Sequence, residues 1–287
     1  MRGFAHLLTS VGFESLLGNS SWFSQSLMHN HHAAVAFAQV SLEGNSARLN
    51  WLLTLDGDGS DYLPALLDNL TLESALRGAC CLLAAASADA DLFVALRQAG
   101  FCRYSWQRFW HIQKDRFSTP HTNAFGFTWQ RPQSIDALEI NNLRRRLISP
   151  SVQTIWKIIG EKLPQYVLKV DGQILGLAHV NMYGSKFIIT PLISQSDFST
   201  DLVLQSLFAR FFSTYQTAYL IQTSDQAWLE EVLYALGEPL YDREELLVKH
   251  FSSMQKVPLP ALNQASHSRH ADTIAPIMKT GRTQDNI

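Results

Sequence analysis

Two stretches of this 287-residue chain are one design written twice. The first, Ala79–Ile112, reads ACCLLAAASADADLFVALRQAGFCRYSWQRFWHI. The second, Gln216–His250, reads QTAYLIQTSDQAWLEEVLYALGEPLYDREELLVKH. A shift of 137 positions aligns them without a gap: Leu83 meets Leu220, Ser87 meets Ser224, Leu92 meets Leu229, Leu96 meets Leu233, Gly100 meets Gly237 and Tyr104 meets Tyr241. In each copy an apolar run leads to a helix-like segment, a glycine stop and a second run rich in aromatic residues. A repeat constrains architecture more than any local signal, because each copy must supply the same supersecondary unit. The chain is expected to be one α/β domain used twice.

The length suits two domains of ordinary size. Hydrophobic residues make up 46% of the chain and charged residues 17%, enough apolar material for two cores. The net charge of −2 gives no electrostatic reason to expect nucleic acid or an anionic membrane as partner. The three cysteines, Cys80, Cys81 and Cys102, fall in apolar runs and are expected to be buried and reduced. Cys80 and Cys81 are adjacent, so on a strand they face opposite ways and do not bridge. The first residues lack an unbroken apolar core and a small-residue cleavage site, and no apolar run approaches ~20 residues. The expected location is cytoplasmic.

Taken in order, Phe4–Leu17 reads as a helix. The Ser- and Asn-rich stretch 19–30 reads as a loop holding a short helix over Trp22–Leu27. Strands come next over Ala33–Leu42 and Arg48–Leu55, the latter with Leu49, Trp51 and Leu53 on one face. Tyr62–Arg77 is a helix with Leu63, Leu66, Leu67, Leu70 and Leu76 on its apolar side, ended by Gly78. Lys114–Gln133 is a linker whose alternating Phe125, Phe127 and Trp129 suggest a strand at its end. Ser134–Leu147 is a helix with Ser134 as N-cap, and Ser151–Lys162 a second one. Gln165–Val170 and Ile174–Met182 form a hairpin through a type I′ turn at Asp171-Gly172. The strand Lys186–Ile193 and the helix Thr200–Tyr215 precede the second copy of the repeat. The expected domains are 1–114 and 134–253, joined by the linker 115–133, and residues 254–287 read as a mostly disordered tail.

This order, with the phrases ALRQAGFCRY (Ala95–Tyr104), ILGLAHV (Ile174–Val180) and LLVKH (Leu246–His250), resembles the GCN5-related N-acetyltransferases, the GNAT family, in its tandem form. The resemblance covers about residues 30–112 and 130–250. It implies a mixed α/β (α+β) sheet in two tandem GNAT-like acyl-CoA N-acyltransferase domains, with acetyl-CoA or another acyl-CoA and an amine acceptor as ligands. In that family two parallel strands part and the pantetheine arm enters between them. Pro191 lies inside the apolar run Phe187–Ile193, and a proline suits a place where the sheet is open; an edge strand or a bulge would suit it equally. The resemblance therefore places the arm beside Pro191 and Ile193. It places the pyrophosphate in the loop after that strand, at Ser196, Ser199 and Thr200, where a helix start offers unpaired N–H donors. Ser199 also reads simply as a helix cap.

The residues that carry the family's chemistry are missing. The phosphate-binding pattern Q/R-x-x-G-x-G/A becomes Asp56-Gly57-Asp58-Gly59-Ser60-Asp61 in the first half, where three aspartates repel phosphate. That loop also departs from a calcium loop, with Asp61 and Leu67 where Gly and Glu are required. In the second half, Ser194–Thr200 has no glycine and no basic residue. The tyrosine of Y-x-x-x-G-F, the acid for the departing thiolate, is replaced by Leu96 and Leu233. Tyr234 is one position off, about 100° round a helix. Tyr104 and Tyr241 fit packing or a hydrogen bond at the seam between the halves. The strands that precede the two loops hold no carboxylate to act as base; Asp56 stands at a strand end, where an aspartate is usually solvated. His29, Asn30, His31 and His32 fit a polar loop better than a zinc site, and no metal is expected. Two readings result. One is an acyl-CoA-dependent N-acyltransferase with an atypical site in the second half, which the resemblance favours. The other is a catalytically degenerate ligand- or protein-binding module, which the residues favour.

Overall fold

Alternating apolar and polar residues in the second half settle into a hairpin. β7 (Tyr166–Val170) and β8 (Gln173–Tyr183) are joined at Asp171-Gly172, whose φ angles of 48° and 83° are those of a type I′ turn. The computed structural model describes residues 21–29, 33–54, 63–116, 127–159, 166–195 and 199–251. The other strands are β1 (Ser21–His29), β2 (Ala33–Glu43), β3 (Ser46–Thr54), β4 (Cys81–Ser87), β5 (Cys102–Ile112), β6 (Phe127–Gln130), β9 (Lys186–Ile193), β10 (Thr217–Thr223), β11 (Gly237–Pro239) and β12 (Glu244–His250). The helices are α1 (Leu63–Leu76), α2 (Asp91–Gln98), α3 (Ala137–Leu147), α4 (Pro150–Ile159), α5 (Thr200–Phe212) and α6 (Glu230–Leu236).

All the described strands join one 12-stranded mixed sheet in the order β1-β2-β3-β4-β12-β5-β10-β9-β8-β7-β6, with β11 also paired to β5. The repeat explains this order. β4 and β10 are equivalent, and so are β5 and β12. Each copy's last strand lies against the other copy's preceding strand: β12 pairs antiparallel with β4, and β5 pairs antiparallel with β10. β5 and β12 also pair with each other, and Glu244 stands opposite Gln107. These two positions coincide under the 137-residue shift, so a local two-fold axis passes between them. The Gln107 side-chain amide donates to the Glu244 carboxylate across it at 2.9 Å.

Helices cover both faces. Leu63, Leu66, Leu67 and Leu70 of α1 pack with Leu92 and Leu96 of α2 on Leu82, Ala84 and Ala86. In the second half, Leu204, Leu207, Phe208 and Phe211 of α5 and Leu233 of α6 pack on Phe187, Ile189, Ala218 and Leu220. The opposite face carries α3 and α4, with Ile140, Leu143 and Val152 on Val167, Ile174, Leu177 and Leu192. α4 also reaches across the seam, where Ile155 packs on Cys81, Leu83 and Val248. Each such buried aliphatic side chain contributes about 1.5–3 kcal/mol, so the seam is part of the core.

Several expectations need correction. Trp22–Leu27 is not helical: it belongs to β1, paired antiparallel with β2. The alternation expected in β3 breaks because Asn50 is an extra residue between the pairs Gln39–Trp51 and Val40–Leu49. A bulge shifts the facing of the residues beyond it, so Leu49 and Leu52 are buried and Trp51 and Leu53 half-buried. Leu76 is exposed at the end of α1, while Ser74 is buried. The start of α3 is held by Gln133 and Asp136 rather than Ser134: the Gln133 N–H donates to the Asp136 carboxylate at 2.8 Å, in a reciprocal capping box. Of the cysteines only Cys81 is buried; Cys80 is half-buried and Cys102 exposed, and all three are free thiols. The Phe4–Leu17 helix, the Asp56–Asp61 loop and the tail after residue 253 lie outside the described residues.

Candidate functional site

Parallel pairing between β9 and β10 spans only Lys186–Ile189 against Thr217–Leu220. Both strands run on, to Ile193 and Thr223, without pairing to each other. The same parting occurs in the first half, where β3 and β4 pair only over Ser46–Arg48 and Cys81–Leu83. The sheet therefore opens twice, at equivalent places in the repeat.

Pro191 sits on the open edge of β9. Successive N–H groups of a strand point to opposite edges. The Ser194 N–H donates to Leu175 O of β8 at 2.8 Å, so the Ile193 N–H points the other way, into the gap. Pro191, two residues earlier, shares that edge and stands opposite Ala178 as a non-hydrogen-bonded pair. The proline thus removes no ladder bond although β9 is an interior strand without a bulge against β8.

A buried amide network reaches the edge of the gap. The Trp110 indole N–H donates to the Gln222 side-chain oxygen at 3.0 Å. The Gln222 amide nitrogen donates to the carbonyls of Gln226 and Ala227, each at 3.2 Å. The Gln226 side-chain oxygen accepts from the Ile193 N–H at 2.8 Å, and its amide nitrogen donates to Asp225 O at 3.1 Å. Trp110, Gln222 and Gln226 are all buried. Gln226 lies in the 3-10 turn Ser224–Leu229, which is kinked at that residue (φ −120°, ψ 28°).

Beside the gap, on the face carrying α3 and α4, is a small hollow lined by Arg144, Trp156, His179, Thr190, Pro191 and Asp225 among others. Its volume is about 20 Å³, space for a water rather than an extended ligand. The Asp225 carboxylate accepts from the Ser149 N–H at 3.1 Å, and the Arg144 guanidinium lies over the Trp156 ring at 5.8 Å. Sequence reasoning did not single out His179, Asp225, Gln222 or Gln226. One signal was present: Gln222 comes after Ala218 and Leu220 on the core-facing side of β10, where a polar residue needs a partner.

No protein-family model matches the chain, and no curated protein matches it. Solved structures do. A GCN5-related N-acetyltransferase from Kribbella flavida superposes with a TM-score of 0.52 at 14% identity, over 87% of this chain and 96% of that one. A GCN5-related N-acetyltransferase from Sphaerobacter thermophilus gives 0.51 at 13% identity, over 79% and 80%. The chain has the GNAT fold. A functionally unknown conserved protein from Staphylococcus epidermidis superposes at 0.54 with 11% identity, over 83% of this chain and 97% of that one.

Within this GNAT fold the expected site residues are spread between the gap and the start of α5. Pro191 and Ile193 line the gap edge. Ser199 is the N-cap and Thr200 the first residue of α5; Ser196 lies outside the described residues. Ser199 makes no side-chain cap hydrogen bond, contrary to its expected capping role. Asp201 in the first turn of α5 is held by the Gln205 amide at 2.7 Å and adds negative charge at a helix start. Leu96 and Leu233 are fully buried, each in the core of its own half. Tyr234 is exposed and packs edge-on against Trp110, with ring centroids 4.9 Å apart. Tyr104 packs on the seam cluster, where burial pushes its phenol up to about 12; Tyr241 packs against Phe109 at 5.5 Å. Among the described residues no group of three His, Cys, Asp or Glu side chains could hold a metal, and no helix is long and apolar enough to cross a membrane. His31 and His32 lie outside those residues.

Proposed function

We propose that the protein is an acyl-CoA-dependent N-acyltransferase with an atypical site in its second half. The parting of β9 from β10 beside Pro191 carries this reading. An extended arm entering there would take the Ile193 N–H from Gln226 and end beside His179, Thr190 and Asp225, where the hollow would have to widen to admit a thioester. The pyrophosphate would lie over Ser196, Ser199 and Thr200. At the hollow, His179 is the imidazole that would receive the proton of the amine, and Asp225 supplies negative charge that favours an ammonium group nearby. The departing thiolate receives no proton from the usual helix position, because Leu233 stands there.

A second reading, a binding module without catalysis, is favoured by the burial of Leu96 and Leu233 in the two cores. One titration tests both. Acetyl-CoA at 100 times Kd should stabilise the native state by about 2.7 kcal/mol, and Thr200→Glu should weaken it. Thiol release in the presence of amines should fall about 10²–10⁴-fold in His179→Ala. Binding without thiol release would favour the second reading. No thermal shift at millimolar acetyl-CoA would sink the first.

A further inference from the structure

Among the described residues the Gln226 network has no counterpart in the other half. Under the 137-residue shift, Trp110, Gln222 and Gln226 correspond to Leu247, Ala85 and Asp89. Leu247 and Ala85 are buried apolar residues without the donors and acceptors of the network, and Asp89 is exposed. Both gaps come from the same parting of parallel strands, but the equivalent positions offer different side chains.

We propose that Gln226 is a self-ligand of the second gap and the residue that decides what enters it. Its primary carboxamide offers the Ile193 N–H the group that a secondary amide in an extended ligand would offer: a carbonyl oxygen, here 2.8 Å from the nitrogen. A buried N–H left without an acceptor costs about 1–3 kcal/mol. An entrant that displaces Gln226 must therefore bring an amide carbonyl of its own. The pantetheine arm carries two such amides, and a plain alkyl chain carries none. The exchange is one acceptor for another, so the strand edge stays satisfied in both states. The kink at Gln226, with φ −120° and ψ 28° inside the 3-10 turn, is the place where that turn can swing aside. Gln222 holds the turn from the other side through the carbonyls of Gln226 and Ala227, and is itself anchored by the Trp110 indole.

This proposal rests on the acyl-CoA reading of the same gap, and the experiment separates the two. Coenzyme A is titrated into the full-length wild-type protein and Gln226→Ala, with dissociation constants from calorimetry. The amide resonance of Ile193 and the side-chain amide resonances of Gln226 are tracked in the wild type. The self-ligand account expects Gln226→Ala to bind about tenfold tighter or more, because the closed state no longer competes. It also expects the wild-type Gln226 side-chain resonances to move on saturation, to positions of a solvated amide. Equal affinity in the two proteins, or binding to the wild type with those resonances unmoved, overturns the self-ligand account and leaves the acyl-CoA reading standing. Absence of binding to both proteins overturns both. The wild-type resonances decide the matter even where Gln226→Ala fails to fold.

Discussion

Gly100 and Gly237 occupy the same place in the repeat for different physical reasons, and replacing each by alanine tests the packing at the seam. Gly237 is extended (φ −171°), so alanine suffers no conformational strain there. Its difficulty is space: a Cβ would lie 2.2 Å from the His111 carbonyl oxygen and 3.1 Å from Ile112 Cα, both on the backbone of β5. Carbon and oxygen need about 3.3 Å, so β11 must withdraw by about 1 Å. That movement strains the Gln113 N–H···Leu236 O bond (3.1 Å) and the Leu240 N–H···Phe109 O bond (2.9 Å) that clamp β11 on β5. Losing two such bonds costs about 2 kcal/mol, and the overpacking itself about 1–3 kcal/mol. Gly237→Ala should therefore destabilise by roughly 3–5 kcal/mol. At Gly100 the nearest atom to a Cβ is Lys249 Cε at 4.0 Å, but φ is +87°. Alanine there should cost only the left-handed backbone, about 1–2 kcal/mol. Urea unfolding monitored by tryptophan fluorescence reads both. A loss under about 0.5 kcal/mol for Gly237→Ala, or a larger loss for Gly100→Ala, would refute the close approach of β11 to β5.

Two further outcomes depend on single side chains. The Gln133 N–H, and then the Lys169 ammonium at 2.7 Å, hold the Asp136 carboxyl below the usual carboxylate range. A depressed value means stability that is complete above the ordinary value of about 3.9 and lost as pH falls through the native one. Asp136→Asn should lower the urea midpoint at pH 7, and its difference from wild type should shrink towards pH 2; a difference unchanged over that range contradicts the assignment. Burial first, then Cys80 beside it, pushes the Cys81 thiol up to about 12, while Cys102 is exposed. At pH 8 about one Cys81 in 10⁴ is then thiolate. A disulfide reagent should label Cys102 rapidly and Cys81 only on unfolding, and Cys102→Ser should lose the fast phase.

The repeat made the fold legible, because glycine and leucine positions recurred at one spacing and alternating residues marked β7, β8 and β9. The exchange of β5 and β12 was not legible: a strand's sequence states which faces are apolar, not which of two equivalent edges it joins. Asn50 shows how one extra residue defeats a face assignment that alternation would have made cleanly. At the site, Pro191 marked the open edge because a missing N–H is a property of the residue itself. Gln226 could not be found that way. Its role depends on a kinked turn bringing a long polar side chain back to Ile193, and it sits between ordinary loop letters. His179 and Asp225 became neighbours of one hollow only through the pairing of β8 with β9 and the docking of α3 and α4.

The insertion of β12 between β4 and β5 also sets a timetable for the newborn chain. Ser87 pairs with Glu244, 157 residues further on. At about 5–20 residues per second, the apolar edge of β4 leaves the ribosome roughly 8–30 s before its partner is made. An unpaired apolar strand edge is a template for association with other chains. The arrival of β12 is what ends that exposure.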